Sequence, residues 1–81
     1  MQLDVRLFAR ARDLAGADTV AVELADGATV SDLKTALASQ HPALSPIVAH
    51  LHVAIGTDYA DDATVLEASN QVTCFPPVSG G

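Results

Sequence analysis

The chain has one cysteine, one lysine, no tryptophan and only three aromatic residues, Phe8, Tyr59 and Phe75. With Cys74 alone, no disulfide can form within the chain, and a reducing cytoplasm is the expected setting. Lys34 and three arginines, Arg6, Arg10 and Arg12, face ten acidic residues, for a formal net charge of −6. That balance disfavours nucleic acid as a partner, because neutralising phosphates takes clustered Lys and Arg. No apolar run approaches the roughly 18 residues that suggest a membrane span. The opening Met1-Gln2-Leu3-Asp4 lacks the basic-then-apolar pattern of a secretory signal. With 49% hydrophobic and 17% charged residues, the 81-residue chain has the composition of a single folded domain and not of a disordered segment.

Catalytic constellations are equally scarce. There is no glycine-rich phosphate loop and no serine–histidine–acid pattern. Cys74 sits between Thr73 and Phe75, which offer neither base nor cation to activate a thiol, and its alternation with Val72 points it inward as a small hydrophobe. His50 and His52 would share a face of an extended segment, but two histidines without a third suitably spaced ligand make a weak metal site, so none is assigned. Asp58, Asp61 and Asp62 lack the spacing and glycine of a calcium loop and read as a solvated acidic turn.

What is present is a clear alternation of periods. Met1, Leu3, Val5 and Leu7 fall on one face of a strand over Met1–Phe8, opposite Gln2, Asp4 and Arg6. A short helix or turn over Ala9–Leu14 ends at Gly16, and a second strand over Thr19–Leu24 forms a wide hairpin with the first. Asp26-Gly27 marks a turn. Thr29-Val30-Ser31-Asp32 resembles a capping box that opens a helix over Val30–Gln40, stopped before Pro42. Ser45-Pro46 reads as the start of a short helical turn over Ile47–His50. A strand over Leu51–Ile55 follows, then a turn at Gly56-Thr57-Asp58. Tyr59, Ala60, Val65 and Leu66 form a short edge strand or loop, and a last strand runs over Gln71–Phe75. This order predicts an α+β fold, a mixed sheet packed on one main helix.

The sequence then runs Phe75-Pro76-Pro77-Val78-Ser79-Gly80-Gly81. Two prolines cannot continue a central strand and hold the backbone extended. Residues 1–75 are therefore read as the domain, and 76–81 as a flexible tail carrying a reactive terminus, with a reach of roughly 18–20 Å at about 3.1 Å per residue. Gly80 and Gly81 lack a Cβ and fit a slot too narrow for other residues. Frayed termini are often rich in Gly and Ser, but the double proline sets this end apart. The terminal carboxylate of Gly81 is the chain's one candidate reactive group. ATP would convert it to an acyl-adenylate, and sulfur donation would then give a thiocarboxylate.

These residues resemble the small, sulfur-carrying subunit of molybdopterin synthase, over nearly the whole chain. The resemblance rests on the terminal motif, on Leu7-Phe8-Ala9-Arg10-Ala11-Arg12-Asp13, on Ala28-Thr29-Val30-Ser31-Asp32-Leu33, on His41-Pro42 and on Val53-Ala54-Ile55. It implies a ubiquitin-like β-grasp fold. It implies that an adenylyltransferase of the ubiquitin-activating type uses ATP on Gly81, that a sulfurtransferase supplies sulfur, and that this chain itself binds no cofactor. Pro76, Pro77, Val78, Ser79 and Gly80 would insert into the large synthase subunit, where sulfur passes to cyclic pyranopterin monophosphate. The assembly would be a heterotetramer whose catalytic side chains sit on the large subunit. Phe8, Phe75, Arg10, Arg12 and Tyr59 are the candidate partner interface, weighed against core packing for the two phenylalanines and a solvated face for the arginines. Two positions depart from the family pattern: the usual Gly-Asp-Glu reads Ser69-Asn70-Gln71, and the usual Asn-Gly reads Gly56-Thr57. Carriers for thiamine, cysteine or transfer-RNA thiolation, a ubiquitin-like protein modifier, and an interaction module with an inert tail are the alternatives.

Overall fold

The computed structural model describes residues 1–77. Five strands, β1 (Gln2–Leu7), β2 (Thr19–Glu23), β3 (His52–Ile55), β4 (Asp58–Ala60) and β5 (Val72–Phe75), form one mixed sheet in the order β2-β1-β5-β3-β4. β1 pairs antiparallel with β2 and parallel with β5. β3 pairs antiparallel with β5 and β4. Helix α1 (Ala9–Ala15) follows β1, and α2 (Val30–Gln40) covers the inner face.

The alternation in the sequence becomes two faces. Leu3, Val5 and Leu7 of β1, Val20 and Val22 of β2, Val53 of β3, and Val72 and Cys74 of β5 are buried together with Val30, Leu33 and Leu37 of α2. Leu44, Leu51 and Leu66 close the core from the loops. No charged or polar side chain is buried among the described residues, so the core contains nothing that needs a compensating hydrogen bond.

The capping box is complete, with Asp in its third position. The Asp32 amide donates to Thr29 Oγ1 at 3.3 Å, and the Thr29 amide donates to Asp32 Oδ2 at 2.9 Å. The amides of Val30 and Ser31 donate to the carbonyls of Thr64 and Asp62, so the open end of α2 is satisfied by the 61–64 loop. At the other end, Gln40 reaches the outer edge of β2. Its side-chain amide donates to the Glu23 carbonyl and accepts from the Glu23 N–H, both at 2.9 Å. His41 Nε2 lies 2.8 Å from the Ala21 carbonyl. A side chain thus occupies backbone groups that an edge strand otherwise offers to a neighbour.

Several local expectations are corrected. The strands are shorter than read: Met1, Phe8, Leu24, Leu51 and Gln71 lie outside them. Pro42–Leu44 forms a 3₁₀ turn that the sequence reading lacked, and the second turn, expected over Ile47–His50, spans Val48–His50. Asp58, read as a turn residue, begins β4, because Gly56 with φ +62 and Thr57 suffice for a two-residue hairpin. Val65 and Leu66 form no strand. Val65 makes one isolated bridge, to Thr29, and Leu66 enters the core.

Candidate functional site: the outer sheet face at the root of the tail

Residues whose neighbours point inward must themselves point outward. With Val53 and Cys74 inside, β3 and β5 turn His52, Thr73 and Phe75 to the other face. Register then assembles a surface. Arg6 lies beside Thr73, Thr73 beside Ala54, and Ala54 beside Tyr59. His52 lies directly opposite Phe75. The ring centroids of His52, Tyr59 and Phe75 are 5.6–6.4 Å apart, within the range of aromatic contact.

Phe8 extends this patch. Its N–H donates to the Cys74 carbonyl at 3.2 Å, which holds the end of β1 alongside β5. Ala9 then takes a left-handed φ of +54, where the chain turns into α1. The Phe8 ring stays 43% exposed, with the Arg6 guanidinium carbon 5.3 Å from its centroid, a cation–π contact. Tyr59 is 79% exposed. Both phenylalanines are outside the core, so core packing is not their role. An open cleft of ≈ 470 Å³ adjoins the patch, lined by Gln2, Asp4, Arg6, Asn70, Gln71 and Thr73 among others.

The three arginines, close in sequence, have separate surroundings. Arg6 serves the aromatic patch. Arg12 Nε lies 3.8 Å from Asp18 and 3.9 Å from Asp13, beside the end of α1. Arg10 is exposed. His52 and Arg6 belong to the patch but were missed as interface residues from sequence. Strand parity marks both as outward-facing. The meeting of His52 with Phe75 depends on a pairing distant in sequence, whereas Arg6 and Phe8 are two residues apart in the chain.

Cys74 is fully buried. Burial pushes its thiol up from 9.0 to about 12, against a smaller lowering by the Lys34 charge. It is a core residue and not a nucleophile at neutral pH. His50 lies in a 3₁₀ turn and His52 in β3, so the two do not share an extended face. Among the described residues no three His, Cys, Asp or Glu side chains cluster to hold a metal, and no helix is long and apolar enough to cross a membrane. The departures from the family pattern have local roles. Asn70 Oδ1 accepts from the Glu67 N–H at 2.7 Å, and the Asn70 N–H donates to the Glu67 carbonyl, closing the turn before β5. Pro76 is half-buried and Pro77 exposed directly after β5. Val78, Ser79, Gly80 and Gly81 lie outside the described residues.

A five-stranded mixed sheet with α2 across one face defines the ubiquitin-like β-grasp class. The chain belongs to the ThiS family, whose model matches residues 5–81. It is 35% identical over 83 residues to the molybdopterin synthase sulfur carrier subunit of Chlamydomonas reinhardtii, covering 100% of both chains. The crystal structure of small archaeal modifier protein 1 from Haloferax volcanii matches at 32% identity and a TM-score of 0.83, over 95% of this chain and 98% of that one. A putative molybdopterin converting factor subunit 1 from Pyrococcus furiosus matches at 30% identity and a TM-score of 0.82, over 96% and 99%.

Proposed function

We propose that this chain is the sulfur carrier subunit of a molybdopterin synthase. The observation that carries the reading is the course of β5, which lies in the middle of the sheet and leads straight into Pro76-Pro77 beside exposed Phe8 and Tyr59. A rigid body, a contact surface and a stiff exit stand together, as delivery of a terminus into a partner's site requires. The Chlamydomonas relative's name, at 35% identity over its full length, supports the same reading.

In this reading the Gly81 carboxylate attacks the α-phosphate of ATP on an adenylyltransferase of the ubiquitin-activating type, and pyrophosphate leaves. The outer sulfur of a sulfurtransferase persulfide displaces AMP to give an acyl disulfide, and a second thiol cleaves it to the thiocarboxylate, leaving a disulfide as the other product. Pro76 to Gly80 then enter the large subunit, where the terminal sulfur passes to cyclic pyranopterin monophosphate. Two carriers serve a large-subunit dimer, in the cytoplasm. ATP binds the activating partner, and this chain holds no cofactor. The patch of Arg6, Phe8, His52, Tyr59 and Phe75 docks the body, and exposed Arg10 and Arg12 are further candidate partner contacts.

The test combines a Gly81 deletion with intact mass and C-terminal peptide mapping after co-expression with the activating enzyme. A gain equal to replacing one oxygen by sulfur, placed on Gly81, is expected. Loss of cofactor synthesis in the deletion variant, with an unchanged melting temperature, is expected too. Cofactor synthesis that survives the deletion sinks the proposal. Complementation of thiamine, cysteine and transfer-RNA thiolation mutants separates the related carrier roles. The Haloferax volcanii relative named small archaeal modifier protein 1, 34% identical over 98% of this chain and its own full length, favours a second reading, conjugation to target lysines. Slower-migrating conjugates on a denaturing gel would reveal it. An inert tail would instead leave partner binding unchanged on truncation at Val78.

A further inference from the structure

Lys34 is the chain's only lysine, and its surroundings are unusually confining for a surface amine. Its side chain is 22% exposed, and Nζ donates to Asp62 Oδ1 at 2.9 Å. The groove around it is walled by Ser31, Thr35, Ala38, Val48 and Ala49. Asp62 is itself held in place. Its carbonyl accepts from the Ser31 N–H at 3.1 Å, and neighbouring Asp61 Oδ1 accepts from the Ala63 N–H and the Thr64 hydroxyl. The loop that carries the acid is fixed to the first turn of the helix that carries the lysine.

The other strong nucleophiles of the described residues are withdrawn as well. The Cys74 thiol is fully buried. The Met1 amine donates to the Leu24 carbonyl and lies 3.7 Å from Asp26. The remaining cationic side chains, Arg6, Arg10 and Arg12, carry delocalised guanidinium groups, which are poor nucleophiles.

We propose that the Lys34–Asp62 pair guards the only lysine against acylation by an activated carboxyl terminus, so this chain is joined to other molecules as a single unit and not as a polymer of itself. The activated terminus rests on the function proposed above; the reactivity of the amine does not. Acylation requires Nζ to lose a proton, leave Asp62 and attack the acyl carbon of an adenylate. AMP departs with the bonding pair, a second proton goes to solvent, and an isopeptide bond remains. While Nζ donates to Asp62 the amine is turned to that carboxylate and held away from an acyl carbon, and the groove restricts approach.

The test uses the full chain and the acetyl ester of N-hydroxysuccinimide at neutral pH, with acetylation followed by peptide mapping. Ser39→Lys supplies a reference amine on an exposed position of the same helix. Lys34 is expected to react at least about fivefold more slowly than that reference, the scale set by a partly exposed ion pair together with steric cover. Asp62→Ala, or Asp62→Asn if the alanine variant melts early, is expected to bring Lys34 close to the reference rate. Equal rates at Lys34 and at the introduced amine in the Ser39→Lys protein, or no change on removing the carboxylate, overturn the proposal. Adding ATP and the activating enzyme extends the test. Pyrophosphate release reports activation, and conjugation between copies is expected at the introduced amine and not at Lys34. Absent pyrophosphate release would count against the carrier reading alone, because chemical acetylation still decides the question of Lys34.

Discussion

The two faces of one sheet are built from the same strands to opposite rules. On the inner face Leu3, Val5, Leu7, Val72 and Cys74 pack on Leu33 and Leu37, all nearly inaccessible. On the outer face, one residue along each strand, Arg6, Thr73, Phe75 and His52 meet Phe8 and Tyr59 in partial or full exposure. Apolar area removed from water stabilises the fold at about 25 cal/mol per Å². Aromatic area left in water contributes little until something covers it. The inner face therefore carries stability, and the outer face, in the function proposed above, holds contact energy in reserve for a partner.

Substitutions that separate the two faces should differ most in what they affect. Leu37→Ala is expected to lower unfolding free energy by about 2–5 kcal/mol, read by urea denaturation, because it leaves a cavity in a close-packed core. Phe75→Ala is expected to cost the fold about 1 kcal/mol or less. The same change should weaken binding to a cognate large subunit by about thirtyfold or more in calorimetry. If Phe75→Ala instead unfolds the protein, the division between the faces fails.

A pH titration sharpens the comparison from inside. The Cys74 thiol ionises at 9.0 ordinarily and at about 12 in the fold. Its stabilising contribution is complete below pH 9 and is lost as pH rises from 9 toward 12, by about 1.4 kcal/mol per pH unit. Cys74→Ala should remove that component of the alkaline loss, whereas Tyr59→Phe on the outer face should leave it. The smallest effect is expected at the junction. Ala9 holds φ +54, a conformation that costs an L-residue about 1–2 kcal/mol, against about 0.4–1 kcal/mol for glycine's greater freedom when unfolded. Ala9→Gly should raise the urea midpoint by the equivalent of about 0.5 kcal/mol.

Much of the inner face was legible in the sequence, because burial on a strand or helix leaves a local period. Leu3, Val5 and Leu7, the inward Cys74, and the helix from Val30 to Gln40 with its cap at Thr29 all follow from residues within a few positions of one another. The outer face was legible only in pieces. Phe8, Phe75 and Tyr59 were recognisable as candidates, but His52 entered only as half of a histidine pair too weak to be assigned a metal, since its neighbours are set by the β3–β5 register across about twenty intervening residues. The 3₁₀ turn at Pro42 and the entry of Leu66 into the core escaped for the same reason. Short irregular segments are shaped by the surface they cover and carry little pattern of their own.

The position of β5 has a consequence for how the molecule comes into being. Among the described residues it is the latest strand in the sequence, yet it is the middle of the sheet and joins β2-β1 on one side to β3-β4 on the other. During synthesis the earlier strands must wait, unjoined, until Val72–Phe75 has left the ribosome. A nascent chain cut short before that point lacks the strand that joins the two half-sheets, and is expected to be open to proteolysis. A properly folded body thus serves as a certificate that translation reached the strand from which Pro76 and Pro77 emerge.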